Sequence, residues 1–406
     1  MPEVVIIGAG LTGLFAASLA AAKGARVTLV AFGRGGLSLG HGCIDARYPT
    51  ASLAAADPLP HPLALAGGAA LRAACDQLQS LLSHAGLRYL GSLEQGVETL
   101  TPLGARRSTQ FAPESLALPT QLVDGRAAIA GIHGFRDFMP ALATRGWRGP
   151  GAAPQCLDDL PWPGDPPRRD LYATDLARLL EDPGQLALLC DLWRPCLAGI
   201  ECLGVPAVLG LTDHERVKAQ LETGLGLRLF EIPTLPPSVP GLRLEAALRR
   251  AALDAGVTVI EGARALGRLE GQGAKRRALG VLVETAGGAR PISADRTLLA
   301  SGGVLNGGLH TEHSGTVIEA TFGAPVAIQA ARDAWVGPGL SGPHEYPLFG
   351  VRVNERMQPV DAAGEIFAGD LYAAGGLLAG LDRVRSNCRQ GLDLATAYRA
   401  VEEMLR

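Results

Sequence analysis

Gly8, Gly10 and Gly13 stand at the G-x-G-x-x-G spacing in GAGLTG, directly after the apolar run Glu3–Ile7 and before an alanine-rich stretch that reaches Lys23. The order of strand, glycine turn, helix and second strand (Arg26–Val30) makes this a dinucleotide-binding turn rather than a chance spacing. Gly8 permits the tight turn, Gly10 lets a pyrophosphate reach the backbone, and Gly13 lets the helix pack on the strand. Leu11 and Thr12 open that helix, whose unpaired N–H groups and partial positive charge suit an anion. The second strand runs out at Ala31, where an acidic residue usually holds the adenosine ribose. Arg34, just beyond, either meets a 2′-phosphate, which would suggest NADP, or is an exposed loop arginine. Further along, Arg106 and Arg107, and separately Arg383, Arg385 and Arg389, offer guanidinium groups that could clamp a phosphate dianion or simply form surface ion pairs. Cys190, Cys196 and Cys202 are spaced C-x5-C-x5-C, without the short gaps of zinc or iron–sulfur ligation, and read as buried thiols. His310 and His313 flank Glu312 with no third ligand set beside them, so no metal is assigned.

Elements that could complete a nucleotide site lie far from the first turn. From Gly256 onward, strand-like runs alternate with glycine turns and end in a buried strand at Leu298–Ala300. The turn Ala300, Ser301, Gly302 resembles the alanine-threonine-glycine element of two-dinucleotide-binding flavoproteins. Asp370–Gly376 (DLYAAGG) resembles their closing strand, with Gly375 and Gly376 in the turn and Gly376 where an aspartate is expected. Asn387–Gly391 then leads into a helix over Leu392–Leu405. The resemblance implies an α/β chain: a Rossmann-like FAD/NAD(P)-binding fold assembled from both ends, with an inserted α+β middle domain. The boundaries expected are 1–51 plus 241–406 for the flavin-binding domain and 52–240 for a substrate or partner domain. Within the insert, helices are expected around Ala64–His84, Thr174–Leu192 and Asp213–Leu221, with proline-rich loops near Pro150–Pro167.

Two stretches of the insert are unlike flavoproteins in general: TPLGARRST (Thr101–Thr109) and IPTLPPSVPGLRLEAAL (Ile232–Leu248). With GAGLTG, LASGGVLNGGL (Leu299–Leu309), FGVRVNERMQPVDAAG (Phe349–Gly364) and YAAGGLLAG, they resemble the B subunit of anaerobic glycerol-3-phosphate dehydrogenase over nearly the whole chain. The resemblance implies a flavoprotein subunit working beside a larger flavin subunit and an iron–sulfur membrane-anchoring subunit. Together these oxidise sn-glycerol 3-phosphate to dihydroxyacetone phosphate and pass electrons to membrane quinone. The family is described with FMN, whereas the GAGLTG turn, arranged for a pyrophosphate, argues for FAD; the expected cofactor is FAD with FMN the alternative. In this architecture the loop Gly35–Ala46 runs past the flavin, placing Gly42 and Cys43 at the cofactor. His41 there is either the base that takes the substrate hydroxyl proton or a loop histidine bonded to backbone. Arg107 matches the arginine of the family's TPLG..RST stretch and is the expected phosphate contact. Gln390 and Gly391, at the start of the last helix, are placed by the same analogy at the flavin N1 and C2-carbonyl edge. A non-catalytic electron relay, or an oxidase of another small hydroxy or amino acid, are the other readings.

Composition bounds these readings. The 406 residues, 47% hydrophobic and 19% charged, fold into more than one domain's worth of core. Fifty-three glycines, almost twice the usual share, belong where backbone turns tightly or approaches a ligand. The formal charge of -3 gives no general attraction for nucleic acid or an anionic membrane. Seven cysteines, an odd number, suit a reducing compartment better than a disulfide framework. The apolar start reads as a strand rather than a signal peptide, and the run Leu11–Ala22 falls short of a membrane span. The expected location is therefore cytoplasmic, and the resemblance implies that it is peripheral to the inner membrane through partner subunits.

Overall fold

The computed structural model describes residues 1–48, 59–119, 126–148, 153–163, 171–272, 276–328, 331–339, 342–383 and 385–406. The chain divides into two compact units: Met1–Gly36 with Asp45–Leu81 and Leu248–Arg406, and Leu37–Ile44 with Leu82–Ala247. These limits differ from 1–51 plus 241–406 and 52–240. The described stretch 59–81, expected in the insert, belongs with the chain ends, and Leu37–Ile44 belongs with the middle of the chain.

In the first unit Glu3–Ile7, with four of its five residues buried, is the middle strand of a five-stranded sheet. The order is Thr258–Glu261, Arg26–Ala31, Glu3–Ile7, Arg296–Leu299, Leu371–Ala373, and every pair is parallel. Parallel strands are covered on both faces, which is why EVVII and RVTLVA read as apolar runs rather than alternating ones. The helix Leu11–Ala22 is buried through its first ten residues, as its alanine-rich, charge-free sequence requires. It packs against the last helix, Arg389–Met404, which starts three residues earlier than expected. Lys23, at the end of the first helix, reaches Glu402 on the second at 2.6 Å. An antiparallel sheet of Arg264–Glu270, Arg277–Thr285 and Gly288–Ile292 accounts for the glycine-punctuated strands after Gly256. The helix expected over Ala64–His84 is two, Pro62–Ala66 and Gly68–His84, because Gly67 between them has φ +86 and cannot continue an α-turn.

The second unit departs from the α+β expectation in its main sheet, whose four strands are all parallel: Arg228–Ile232, Cys202–Pro206, Ala127–Ile132, Gln155–Leu160. The small pairs, Tyr89–Gly91 with Phe111–Pro113 and Val97–Leu100 with Arg106–Thr109, are antiparallel. The Gln155–Leu160 strand lies where proline-rich loops were expected; Pro150 and Pro167 lie outside the described residues. The core is built on Trp193, Phe230, Ile129 and Leu189. The expected Thr174–Leu192 helix is interrupted: Ala173–Leu179 stops, and Pro183–Trp193 starts afresh with the Asp182 carboxylate accepting from the Gly184 and Gln185 N–H groups. Pro183 has no N–H to continue the first helix, but it suits the first position of the second. His214–Leu225 matches the third expected helix and ends at Gly226, φ +69.

Candidate functional site

The glycine turn sits at the end of the middle strand of the first unit. Gly8 has φ +115, and a Cβ on it would overlap the Ala300 carbonyl, so only glycine fits. Its N–H donates to Val30 O at 2.8 Å, and Ala300 N–H donates to Ile7 O at 2.9 Å, which ties the turn to both neighbouring strands. A Cβ on Gly13 would overlap the Gly8 carbonyl, whereas one on Gly10 would meet nothing within 4 Å. The sequence reading of the three glycines thus separates into two packing positions and one facing open space. Gly10 caps the helix with no side chain, and Leu11 and Thr12 are buried in its first turn. On the adjoining strand end, Ser301 carries a buried hydroxyl with no hydrogen-bond partner among the described residues. Gly302 turns tightly there, its missing Cβ making room for Asn306 at 2.6 Å.

The third strand end brings Gly375 and Gly376 to the same turn. Gly375, φ +73, lies so close to Thr12 that a Cβ would overlap the Thr12 hydroxyl, and its N–H donates to Thr396 Oγ1 at 2.9 Å. A Cβ on Gly303 would be 2.9 Å from Gly376 O. An open glycine at a helix N-terminus, three converging strand ends and an orphaned buried hydroxyl fit a dinucleotide such as FAD. Arg34 is exposed.

Three expected cofactor contacts do other work. Gly391 N–H donates to Asp45 O at 2.9 Å, and a Cβ on it would be 2.6 Å from Ala46 Cα; this glycine serves packing, and its N–H is already spent. Gln390 Oε1 accepts from Asp45 N–H at 3.3 Å. Cys43, in the second unit, is buried with Ala112, Leu116 and Ala207, so its thiol is a core group rather than a ligand-facing one. A thiol behaves as a small hydrophobe, and this apolar neighbourhood has room for one.

The loop that carries His41 is pinned within the second unit. Ile44 and Phe111 exchange backbone hydrogen bonds at 2.8 and 3.2 Å, Thr109 Oγ1 donates to Ile44 O at 3.0 Å, and Tyr89 OH donates to Gly42 O at 2.8 Å. Gly42, φ +79, packs on Pro240. Held this way, the His41 ring receives Cys43 N–H on Nδ1 at 3.1 Å and stands 2.7 Å from Arg107 Nη1 through Nε2. The two expected reaction residues, 66 positions apart, are therefore in contact. A backbone N–H and a guanidinium are obligate donors, so the ring can accept from only one of them at a time, and which one depends on its tautomer. Arg107 is half-buried, while its neighbour Arg106 is exposed and paired with Glu98 at 3.2 Å.

Sequence reasoning missed the buried pair beneath this loop. Glu231, fully buried, accepts from Arg243 Nη1 at 2.6 Å and Nη2 at 3.0 Å, from Ser115 Oγ at 2.7 Å and from Leu209 N–H at 2.8 Å. Burial alone would raise its carboxyl, but the Arg243 guanidinium outweighs this and holds it well below the usual range. Arg243 lies within the quoted Ile232–Leu248 stretch, which was the available signal. Also missed was His61, buried in the first unit, whose Nδ1 accepts Leu63 N–H and whose Nε2 is 3.6 Å from the Cys388 thiol. Of the other arginines considered, Arg383 pairs with Asp393, Arg385 is exposed near Asp382, and Arg389 is exposed. Among the described residues no group of three His, Cys, Asp or Glu could hold a metal ion, and no helix is long and apolar enough to cross a membrane.

The fold and the glycine turn define an FAD-binding oxidoreductase, and the FAD binding domain family matches residues 3–392. Full-length relatives narrow this. A protein of Pectobacterium carotovorum subsp. carotovorum named as the B subunit of anaerobic glycerol-3-phosphate dehydrogenase is 32% identical over 100% of this chain and 98% of its own. Its namesake from Pectobacterium atrosepticum is 31% identical over the same shares, and that of Actinobacillus pleuropneumoniae serotype 5b is 28% identical over 99% and 98%. The chain belongs to the family of anaerobic glycerol-3-phosphate dehydrogenase B subunits. Among solved structures, 3-ketosteroid delta1-dehydrogenase from Sterolibacterium denitrificans aligns over 100% of this chain and 99% of its own at 12% identity and a TM-score of 0.44, too distant to inform substrate or mechanism.

Proposed function

We propose that this chain oxidises sn-glycerol 3-phosphate to dihydroxyacetone phosphate as the FAD-bearing subunit of a respiratory dehydrogenase. In this reading a larger flavin subunit and an iron–sulfur, membrane-anchoring subunit carry the electrons on to quinone, and the chain meets the inner membrane only through them. The observation that carries it is the 2.7 Å contact between Arg107 Nη1 and His41 Nε2, which puts a phosphate-type cation against a proton acceptor.

The turn Gly8–Gly13, the strand end Ala300–Gly302 and the Gly375–Gly376 turn are the groups that would hold FAD. When bound, FAD supplies the two-electron acceptor. The chain's own residues handle the rest. Arg107 turns its fork to the substrate phosphate, a bidentate contact that a guanidinium makes well, and leaves His41 Nε2 to the substrate. In the Nδ1–H tautomer, which gives up the Cys43 N–H contact, His41 takes the C2 hydroxyl proton on Nε2 as the carbonyl forms, with the loop set by Tyr89 and Thr109. Anaerobic addition of glycerol 3-phosphate to the FAD-loaded subunit, followed by flavin absorbance, tests this reading. Bleaching of the lone subunit supports it. An unbleached flavin that becomes competent only with the partner subunits assigns the chain a relay role instead.

A further inference from the structure

The space above Gly376 is not empty. A Cβ on Gly376 would overlap Nη1 of Arg383, so the guanidinium occupies the volume that a side chain at position 376 would otherwise fill. Gly375, one residue back, is pressed against Thr12 in the first turn of the nucleotide-binding helix, and Gly376 O faces Gly303. Arg383 thus stands at the end of the strand Leu371–Ala373, beside the helix N-terminus where a pyrophosphate belongs. It is held there by Asp393, whose two carboxylate oxygens accept from Nη2 at 3.0 and 2.9 Å. Its Nε is buried and has no partner among the described residues, and the same is true of Ser301 Oγ on the neighbouring strand end. A guanidinium held by one edge, with a buried donor unspent, beside an open glycine turn, has the chemistry of a phosphate contact.

We propose that Arg383 is a cationic contact for the FAD diphosphate, taking the room that Gly376 leaves by having no side chain. The proposal rests on FAD being the cofactor. It replaces a hydrogen-bond acceptor at this turn with a donor, so it makes this end of the site selective for an anionic ligand. Neutral flavins gain nothing from it.

The test is fluorescence titration of the cofactor-free chain with FAD and, in parallel, with riboflavin, which has the ring and ribityl chain but no phosphate. Arg383→Gln should weaken FAD by about ten- to hundredfold, the loss of one charged hydrogen-bonding group, and leave riboflavin within about twofold. Arg383→Lys should recover part of the FAD affinity. FAD affinity within about twofold of the parent in Arg383→Gln, or equal weakening of FAD and riboflavin, overturns the proposal. Should Arg383→Gln fail to fold, Asp393→Asn decides: freeing the guanidinium that Asp393 holds at the turn should weaken FAD relative to riboflavin, and unchanged FAD affinity or equal weakening of both overturns the proposal. A parent chain that binds riboflavin or FMN but not FAD would instead remove the cofactor assignment itself.

Discussion

In the proposed function Arg107 and His41 divide one task, the first setting where a phosphate lies and the second where a proton goes. Arg107→Gln should therefore raise KM for glycerol 3-phosphate by about ten- to hundredfold, and Arg107→Lys less, because an ammonium keeps the charge but not the fork. His41→Asn should lower kcat by about a hundred- to ten-thousandfold with KM little changed. Steady-state kinetics of the assembled enzyme, with FAD content measured on each variant, check both; equal loss of FAD and activity would make these residues structural. Both stood out as candidates in the sequence alone, one from its loop and the other from its motif. Their contact did not, because it depends on the bridge between Ile44 and Phe111, two residues with no chemical signal of their own. Cys43 and Gly391 show the opposite error. Residue type and position suggested a ligand, and burial among Ala112, Leu116 and Ala207, or a hydrogen bond to Asp45, had already claimed the group.

Strands, helices and turns were the most legible scale where the pattern had one explanation. The unit of strand, GAGLTG turn and helix follows from glycine chemistry, and Gly8→Ala should cost about 1 to 3 kcal/mol from backbone strain alone and abolish FAD retention. Denaturant titration and the flavin-to-protein absorbance ratio measure the two effects; a stable, flavin-replete Gly8→Ala would contradict the packing at Ala300. Gly391→Ala should also destabilise, by about 1 to 3 kcal/mol, by pushing the start of the last helix away from Ala46. The same titration checks it, with full stability as the contrary result. The parallel sheet of the second unit was illegible because its strands are apolar on both faces, so that AAIAGI or CLGVP offers no alternation to separate strand from buried helix. Gly67 and Pro183 split helices whose apolar spacing runs on across the break, and spacing alone does not register φ or a missing N–H.

For the molecule as a whole, two buried histidines set the acid side of stability. Burial lowers the titration point of both His61 and His214, so each is neutral when folded and takes up a proton more readily when unfolded. Their contribution is complete above the ordinary histidine value near 6.5 and is lost as pH falls below it, by up to about 1.4 kcal/mol per pH unit for each group. Urea unfolding at pH 7.5 and 5.5 should show this, and His61→Gln should remove about half of the slope; an unchanged slope would mean the ring is not neutral in the fold. The order in which the chain is made matters as well. Val4 pairs with Arg296, 292 positions later, and Leu299 in turn with Ala373. At about 5 to 20 residues per second, a ribosome delivers the first of these partners roughly 15 to 60 s after the middle strand has left it. The residues of the second unit are complete by then, while EVVII and the alanine helix wait with apolar faces uncovered. Holdase chaperones should therefore engage the segment that carries EVVII, and FAD can be captured only after Leu371–Ala373 has been made.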